Sequence, residues 1–228
     1  MENYSLDKLE EKINYTFKNR KLIRQAMTHS SFTNEQKINH YEHYERVEFL
    51  GDAVLELVSS EFLFLENPTM SEGNLTKTRA SAVCEQALAI TARELELGKF
   101  MLFGKGEEAT GGRERDSIIA DAVEALIGAI YLDGGMEEAK RFIYTFVLND
   151  LEHKKLFYDA KSILMEEVQK IKAGELSYVL LKEEGPEHNK QFFVAAMLKD
   201  KQIGTGAGRT KKAAEQQAAY EALMKMKK

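Results

Sequence analysis

Four acids recur along residues 45–58, ERVEFLGDAVLELV. Glu45, Glu48, Asp52 and Glu56 lie three and four apart, so on a helix they share a face. No Lys stands among them, and Arg46 points elsewhere. Like charges at this spacing repel by about 0.2–0.5 kcal/mol per pair, and Gly51 costs about 1 kcal/mol against Ala. Two readings compete: a solvated acidic face, or half of a divalent-cation site that needs further carboxylates. Residues 118–132, IIADAVEALIGAIYL, carry only two charges, Asp121 and Glu124. A helix apolar nearly all round is buried, and two acids on it need positive compensation. Arg46 or Arg79 could supply it, or a metal could. Glu48, Asp52, Asp121 and Glu124 together form an all-oxygen donor set, which suits Mg²⁺, Mn²⁺ or Ca²⁺. Mg²⁺ held this way activates water and stabilises a reacting phosphodiester. A di-iron centre wants Glu-x-x-His, a motif absent around all five histidines. His40 and His43 read as helix-entry residues rather than a zinc pair.

The elements that must position these acids are helices. Leu6, Leu9, Ile13 and Phe17 form one amphipathic run, and Leu22, Ile23, Ala26 and Met27 a second, ending at Thr28-His29-Ser30. Val47, Leu50, Val54, Leu57 and Val58 predict that the acidic helix turns one apolar face to its own core, and Pro68 stops it. Ser71 caps a single helix over 72–97. The Gly-rich stretch 98–112 lacks a Gly-x-x-x-x-Gly-Lys-Ser/Thr motif and reads as a mobile connector. Asp116-Ser117 caps the buried helix, and 136–152 forms another.

Beyond a short linker the periodicity changes. Residues 160–172 are helical, 176–182, 191–198 and 202–207 are strand-like, and Thr210 caps a last Ala-rich helix. Helix, three strands and helix make a small α+β unit with both helices on one face of an antiparallel sheet. Charge divides with the elements. The chain carries −5 overall, but from Lys155 onward 14 Lys and Arg face 10 Asp and Glu, against 18 and 27 before. Gly204, Gly206 and Gly208 lead into Arg209, Thr210, Lys211 and Lys212 at a helix N-terminus, which suits phosphates. The polar turn 185–189, with His188, has the size to reach a minor groove, where A-form RNA offers its 2′-hydroxyls. The single Cys84 excludes an internal disulfide and points to a reducing compartment. With neither an apolar leader nor a membrane-length run, the chain reads as cytoplasmic, with no membrane partner.

ERVEFLGDAVLEL resembles the signature of the bacterial ribonuclease III family, and DAVEALIGAIYLD its second catalytic motif. GPEHNKQF and GTGAGRTKKAAEQQAA resemble that family's double-stranded-RNA-binding domain. The resemblance implies an all-α endonuclease domain over 1–153, a linker over 154–159, and an αβββα RNA-binding domain over 160–228. It implies a homodimer that hydrolyses double-stranded RNA with Mg²⁺, Mn²⁺ substituting, and takes no small-molecule substrate. The expected products are 5′-phosphate and 3′-hydroxyl ends with short 3′ overhangs, from precursors of ribosomal and other structured RNAs. By motif match, Glu48, Asp121 and Glu124 ligate metal, and Asp52 holds the attacking water and acts with Glu124. Glu45 and Glu72 line the RNA valley, and Phe49 enters the partner subunit. Glu166, His188, Arg209, Thr210, Lys211 and Lys212 contact RNA. Three positions depart from the family pattern: Tyr44 stands where Asn is common, Met165 where Gln is common, and Thr210 where Ser is common. Two other classes remain: a non-catalytic binder of double-stranded RNA, and a helical scaffold with no salt-dependent RNA affinity.

Overall fold

The computed structural model describes residues 5–37, 42–149, 160–185, 190–208 and 210–226. The chain divides into two compact units on either side of Asn149. The expected linker over 154–159 lies outside the described residues.

The first unit is helical: α1 Leu6–Ile13, α2 Arg20–Ala26, α3 Ser30–Gln36, α4 Glu45–Glu66, α5 Glu72–Ala82, α6 Glu85–Glu94, α7 Leu97–Phe100, α8 Lys105–Ala109, α9 Asp116–Gly134 and α10 Met136–Phe142. One π turn, Ile143–Val147, extends α10. Helix α9 is the axis. Its Ile118, Ala122, Val123, Leu126, Ile127 and Ile130 are buried, and α2, α4, α6 and α10 pack around it. This follows from an apolar circumference that water would otherwise solvate. The end of α9 also organises the N-terminus. Asp133 accepts the Tyr15 hydroxyl at 2.8 Å and the amides of Lys18 and Asn19 at 2.9 and 2.8 Å.

Three expectations change. The helix over 72–97 is two helices plus a turn, because Val83 leaves helical geometry and Cys84 is extended. The stretch 98–112 is built rather than a connector. Arg113 donates to the carbonyls of Gly98 and Met101 at 2.7 and 2.8 Å, and Leu102 bridges Thr28. The apolar face of α4 is also not all core: Val47, Val54 and Val58 are buried, but Leu57 is 60% exposed.

The second unit runs α11 Ala160–Lys170, β1 Leu176–Glu184, β2 Gln191–Leu198, β3 Lys201–Gly208 and α12 Lys211–Met226. The strands form an antiparallel meander, β1-β2-β3. Ala160, Leu164 and Val168 of α11 share one core with Val194 and Ala196 of β2 and with Ala214, Ala218 and Ala222 of α12. Gly204 and Gly206 of β3 have a packing role. A Cβ at Gly204 would lie 2.2 Å from the Ala218 carbonyl oxygen, and one at Gly206 2.3 Å from that of Ala214. They let α12 lie directly on the strand. Thr210 caps α12 as expected, its Oγ1 accepting the Ala213 amide at 3.1 Å.

Candidate active site

The acids meet where α4 crosses α9. Gly51 and Gly128 face each other there. A Cβ on Gly51 would fall 1.8 Å from the Glu124 carbonyl oxygen and 2.9 Å from the Gly128 nitrogen, and a Cβ on Gly128 would fall 2.2 Å from the Val47 carbonyl oxygen. Backbones this close bring the side chains next to each glycine together. Glu48 and Asp52 flank Gly51, and Glu124 and Asp121 lie one and two turns before Gly128. The close approach gives the reason for a glycine at position 51 of a helix. Gly128 was not singled out, although a small residue inside an apolar helix is the signal such a crossing leaves.

Electrostatics reports the convergence. Burial pushes Glu124 up to about 8, and the charges of Asp52, Glu48 and Asp121 add to it. Burial, then Asp121, Glu45 and Asp52, push Glu48 up to about 7. Asp121 is raised by burial against the opposing hydrogen bond from Tyr44. No ion pair among the described residues involves any of the four. Arg79, a candidate counter-charge, instead pairs with Glu56 at 2.9 Å and donates to Ser60 Oγ at 2.8 Å. The plainer reading of Glu56, a paired surface acid, is what the structure contains.

The cluster is therefore short of positive charge at partly buried positions, which an all-oxygen cation site requires. Among the described residues, no three His, Cys, Asp or Glu side chains already converge as a ligand group. The donor chemistry fits Mg²⁺ or Mn²⁺ better than zinc, having neither imidazole nor thiolate.

Tyr44, a departure from the family pattern in the sequence, reaches the cluster. Its ring is 5% exposed, its amide donates to the Thr28 carbonyl at 2.9 Å, and its hydroxyl donates to Asp121 Oδ2 at 3.3 Å. Burial first, then the nearby carboxylates, raise its phenol above the ordinary range, so it remains a donor.

The other expected residues fall outside this cluster. Glu45, in the first turn of α4, and Glu72, in that of α5, are exposed. Glu72 accepts the Thr76 hydroxyl at 3.0 Å. Phe49 projects from α4, as do Leu57 and Phe64, 68% exposed. In the second unit Glu166, Thr210, Lys211 and Lys212 are exposed. Lys211 and Lys190 each lie 5.8 Å from the centroid of the Phe192 ring and share Glu183, at 3.6 and 2.6 Å. His188 and Arg209 lie outside the described residues.

A helical unit with uncompensated carboxylates across a helix crossing, followed by a separate αβββα unit, is the architecture of a nuclease joined to a nucleic-acid-binding module. Comparison with known proteins makes this particular. Residues 19–151 match the family described as Ribonuclease-III-like, and residues 160–226 match the double-stranded RNA binding motif. The chain is 49% identical over 223 residues to Ribonuclease 3 of Bacillus licheniformis, covering 97% of this chain and 90% of that one. It is 48% identical over 221 residues to Ribonuclease 3 of Caldanaerobacter subterraneus subsp. tengcongensis, covering 96% of each. The nuclease domain of ribonuclease III from Campylobacter jejuni, whose structure is described as flexible in a region involved in dimer formation, superposes with a TM-score of 0.59 at 44% identity. That match covers 63% of this chain and 96% of that one. The chain belongs to the ribonuclease III family. It is an endoribonuclease that carries a double-stranded-RNA-binding domain, so the scaffold and the non-catalytic binder fall away.

Proposed function

We propose that the protein is a homodimeric, Mg²⁺-dependent endonuclease that processes structured RNA precursors, including ribosomal RNA, at double-stranded segments. The observation that carries the site is the set of four carboxylates at the α4–α9 crossing, with burial raising Glu48, Asp121 and Glu124 and with no cation paired to any of the four among the described residues. Glu48, Asp121 and Glu124 would hold the metal. When bound, Mg²⁺ supplies a Lewis acid that lowers the pKa of water and neutralises charge on the phosphodiester.

The chain's own groups do the rest. Asp52 is exposed at the mouth of the cluster, beside Glu124. It orients the attacking water and accepts its proton together with Glu124. In-line attack at phosphorus opposite O3′ would break the P–O3′ bond and leave a 5′-phosphate, and the departing 3′-oxygen would take a proton from solvent to become the 3′-hydroxyl. Glu45 and Glu72 line the approach of the duplex. In the second unit, the exposed start of α12, with Thr210, Lys211 and Lys212, meets phosphates, and Glu166 of α11 faces the minor groove. Met165, 50% exposed beside it, offers no donor to a 2′-hydroxyl. Phe49, Leu57 and Phe64 of α4 stand exposed together, and exposed apolar patches of this kind mark interaction surfaces. A second copy covers this patch and brings two clusters to one duplex, one per strand.

Replacing Glu124 with Ala tests the site. Cleavage of a long RNA duplex in Mg²⁺ is expected to fall at least about 100-fold, on the order of 2.7 kcal/mol of barrier, with duplex binding retained. Unchanged cleavage would remove Glu124 from the site.

A further inference from the structure

Tyr44 connects the two halves of the carboxylate cluster. Its carbonyl accepts the amides of Val47 and Glu48 at 2.8 and 2.9 Å, so it opens the turn that carries Glu48. Its hydroxyl reaches across to Asp121 on α9. The residue is fixed from behind. Its amide bonds the Thr28 carbonyl, and Thr28 is held in turn by the bridge to Leu102, with Leu102 N to Met27 O at 2.8 Å and His29 N to Leu102 O at 3.0 Å. Its ring lies against His29, which lies against Phe103, with centroids 5.6 and 5.2 Å apart. A buried ring anchored at backbone and face leaves its hydroxyl little freedom. Among the described residues, this is the one hydrogen bond made to the Asp121 carboxylate.

We propose that Tyr44 is a positioning residue: through its hydroxyl on Asp121 Oδ2 it holds that carboxylate toward Glu48 and Glu124, so that the three can share one divalent cation. This rests on the reading of Asp121 as a cation ligand. At 3.3 Å the bond is longer than the usual O–H···O separation, so it adds little to the stability of the metal-free fold. Its effect is directional. Carboxylates that repel one another need something other than the cation to keep them aimed at a common point, and a fixed donor on one oxygen does this while leaving the other open. Groups that orient a ligand in this way typically govern metal affinity by 10–100-fold.

The test uses the full chain and Tyr44→Phe, which keeps the buried ring and deletes one oxygen. Three readouts are taken: Mn²⁺ binding without RNA, followed by electron paramagnetic resonance; melting in EDTA; and duplex RNA binding in EDTA. The dissociation constant for Mn²⁺ is expected to rise about tenfold, while melting and RNA binding match wild type. Cleavage should be lost at limiting Mg²⁺ and largely return at saturation. Tyr44→4-aminophenylalanine, which keeps the ring and places an N–H donor where the hydroxyl stands, should recover part of the Mn²⁺ affinity, and it carries the comparison should the Phe variant fail to fold. A Tyr44→Phe isotherm equal to wild type overturns the positioning role and leaves the cation site standing. A weakened isotherm that tracks a lowered melting temperature also overturns it, since the residue would then be structural only. Wild type that binds no Mn²⁺ removes the cation site and the positioning role together.

Discussion

Glu124 and Glu48 are acids that the metal-free fold would rather keep protonated. Burial raises both, to about 8 and about 7, and their neighbours add to it. A carboxyl whose folded-state pKa exceeds its unfolded value stabilises the fold below the unfolded pKa, and that contribution is lost as pH rises through the folded value. For these two groups the window runs from about 4.5 to about 8. In EDTA the melting temperature of the nuclease unit is therefore expected to fall across that range, and Mg²⁺ to restore more of it at pH 8 than at pH 5. Glu124→Gln, which cannot ionise, should flatten the decline and melt above wild type in EDTA at pH 8. Calorimetry across that range checks this, and a wild-type profile no steeper than that of the Gln variant would refute it. The acids themselves were legible as types and spacings. That Arg79 would turn to Glu56 and Ser60 was not, because a side chain's partner depends on which helix lies across from it.

At the scale of elements, the crossing of α4 and α9 does the positioning, and it depends on two glycines. Gly51→Ala would place a methyl 1.8 Å from the Glu124 carbonyl oxygen, a backbone atom that moves only if the helix does. The gain of about 1 kcal/mol in helix propensity is outweighed, since overpacking of this kind costs about 1–3 kcal/mol and occasionally more. The variant is expected to melt lower and to lose cleavage out of proportion to the unfolded fraction, because the two pairs of acids are pushed apart. Gly73, on α5, has nothing within 4 Å of an added Cβ, so Gly73→Ala should be neutral or stabilising by up to about 1 kcal/mol. If Gly51→Ala melts and cleaves as Gly73→Ala does, the close crossing is not what sets the site. The elements missed in the sequence are short or interrupted ones. The break at Val83 and Cys84 contains neither Gly nor Pro, and the order of 98–112 comes from Arg113 reaching carbonyls 12 and 15 residues away.

For the whole molecule, the division at Asn149 separates an acidic catalytic unit from a unit that carries net positive charge. Cations on phosphates release counterions, so their contribution falls steeply with salt. A chain ending at Asn149 is expected to sediment as a dimer and to cleave duplex RNA at low salt. It should lose affinity relative to the full chain at physiological salt, and its binding should show a shallower dependence on salt concentration. Sedimentation and filter binding across a salt series read both. A monomer would remove the partner proposed for the Phe49, Leu57 and Phe64 stripe, and an unchanged salt slope would remove the second unit's role on phosphates.

By itself the sequence determined two units, the elements of the second to within a residue or two, the carboxylates of the first, and the family. Those features are written in local periodicity, capping residues and motif spacing, which act over a few positions. The tertiary structure alone decided that Gly204 and Gly206 let α12 lie directly on β3, and that Leu57 faces outward. It also decided that Gly128 lets two backbones touch, and that the Tyr44 hydroxyl lies on Asp121, 77 positions away. Each of these depends on which surface meets which, and contacts between distant segments are set by the packing of whole helices around α9, not by the residues on either side of the contact.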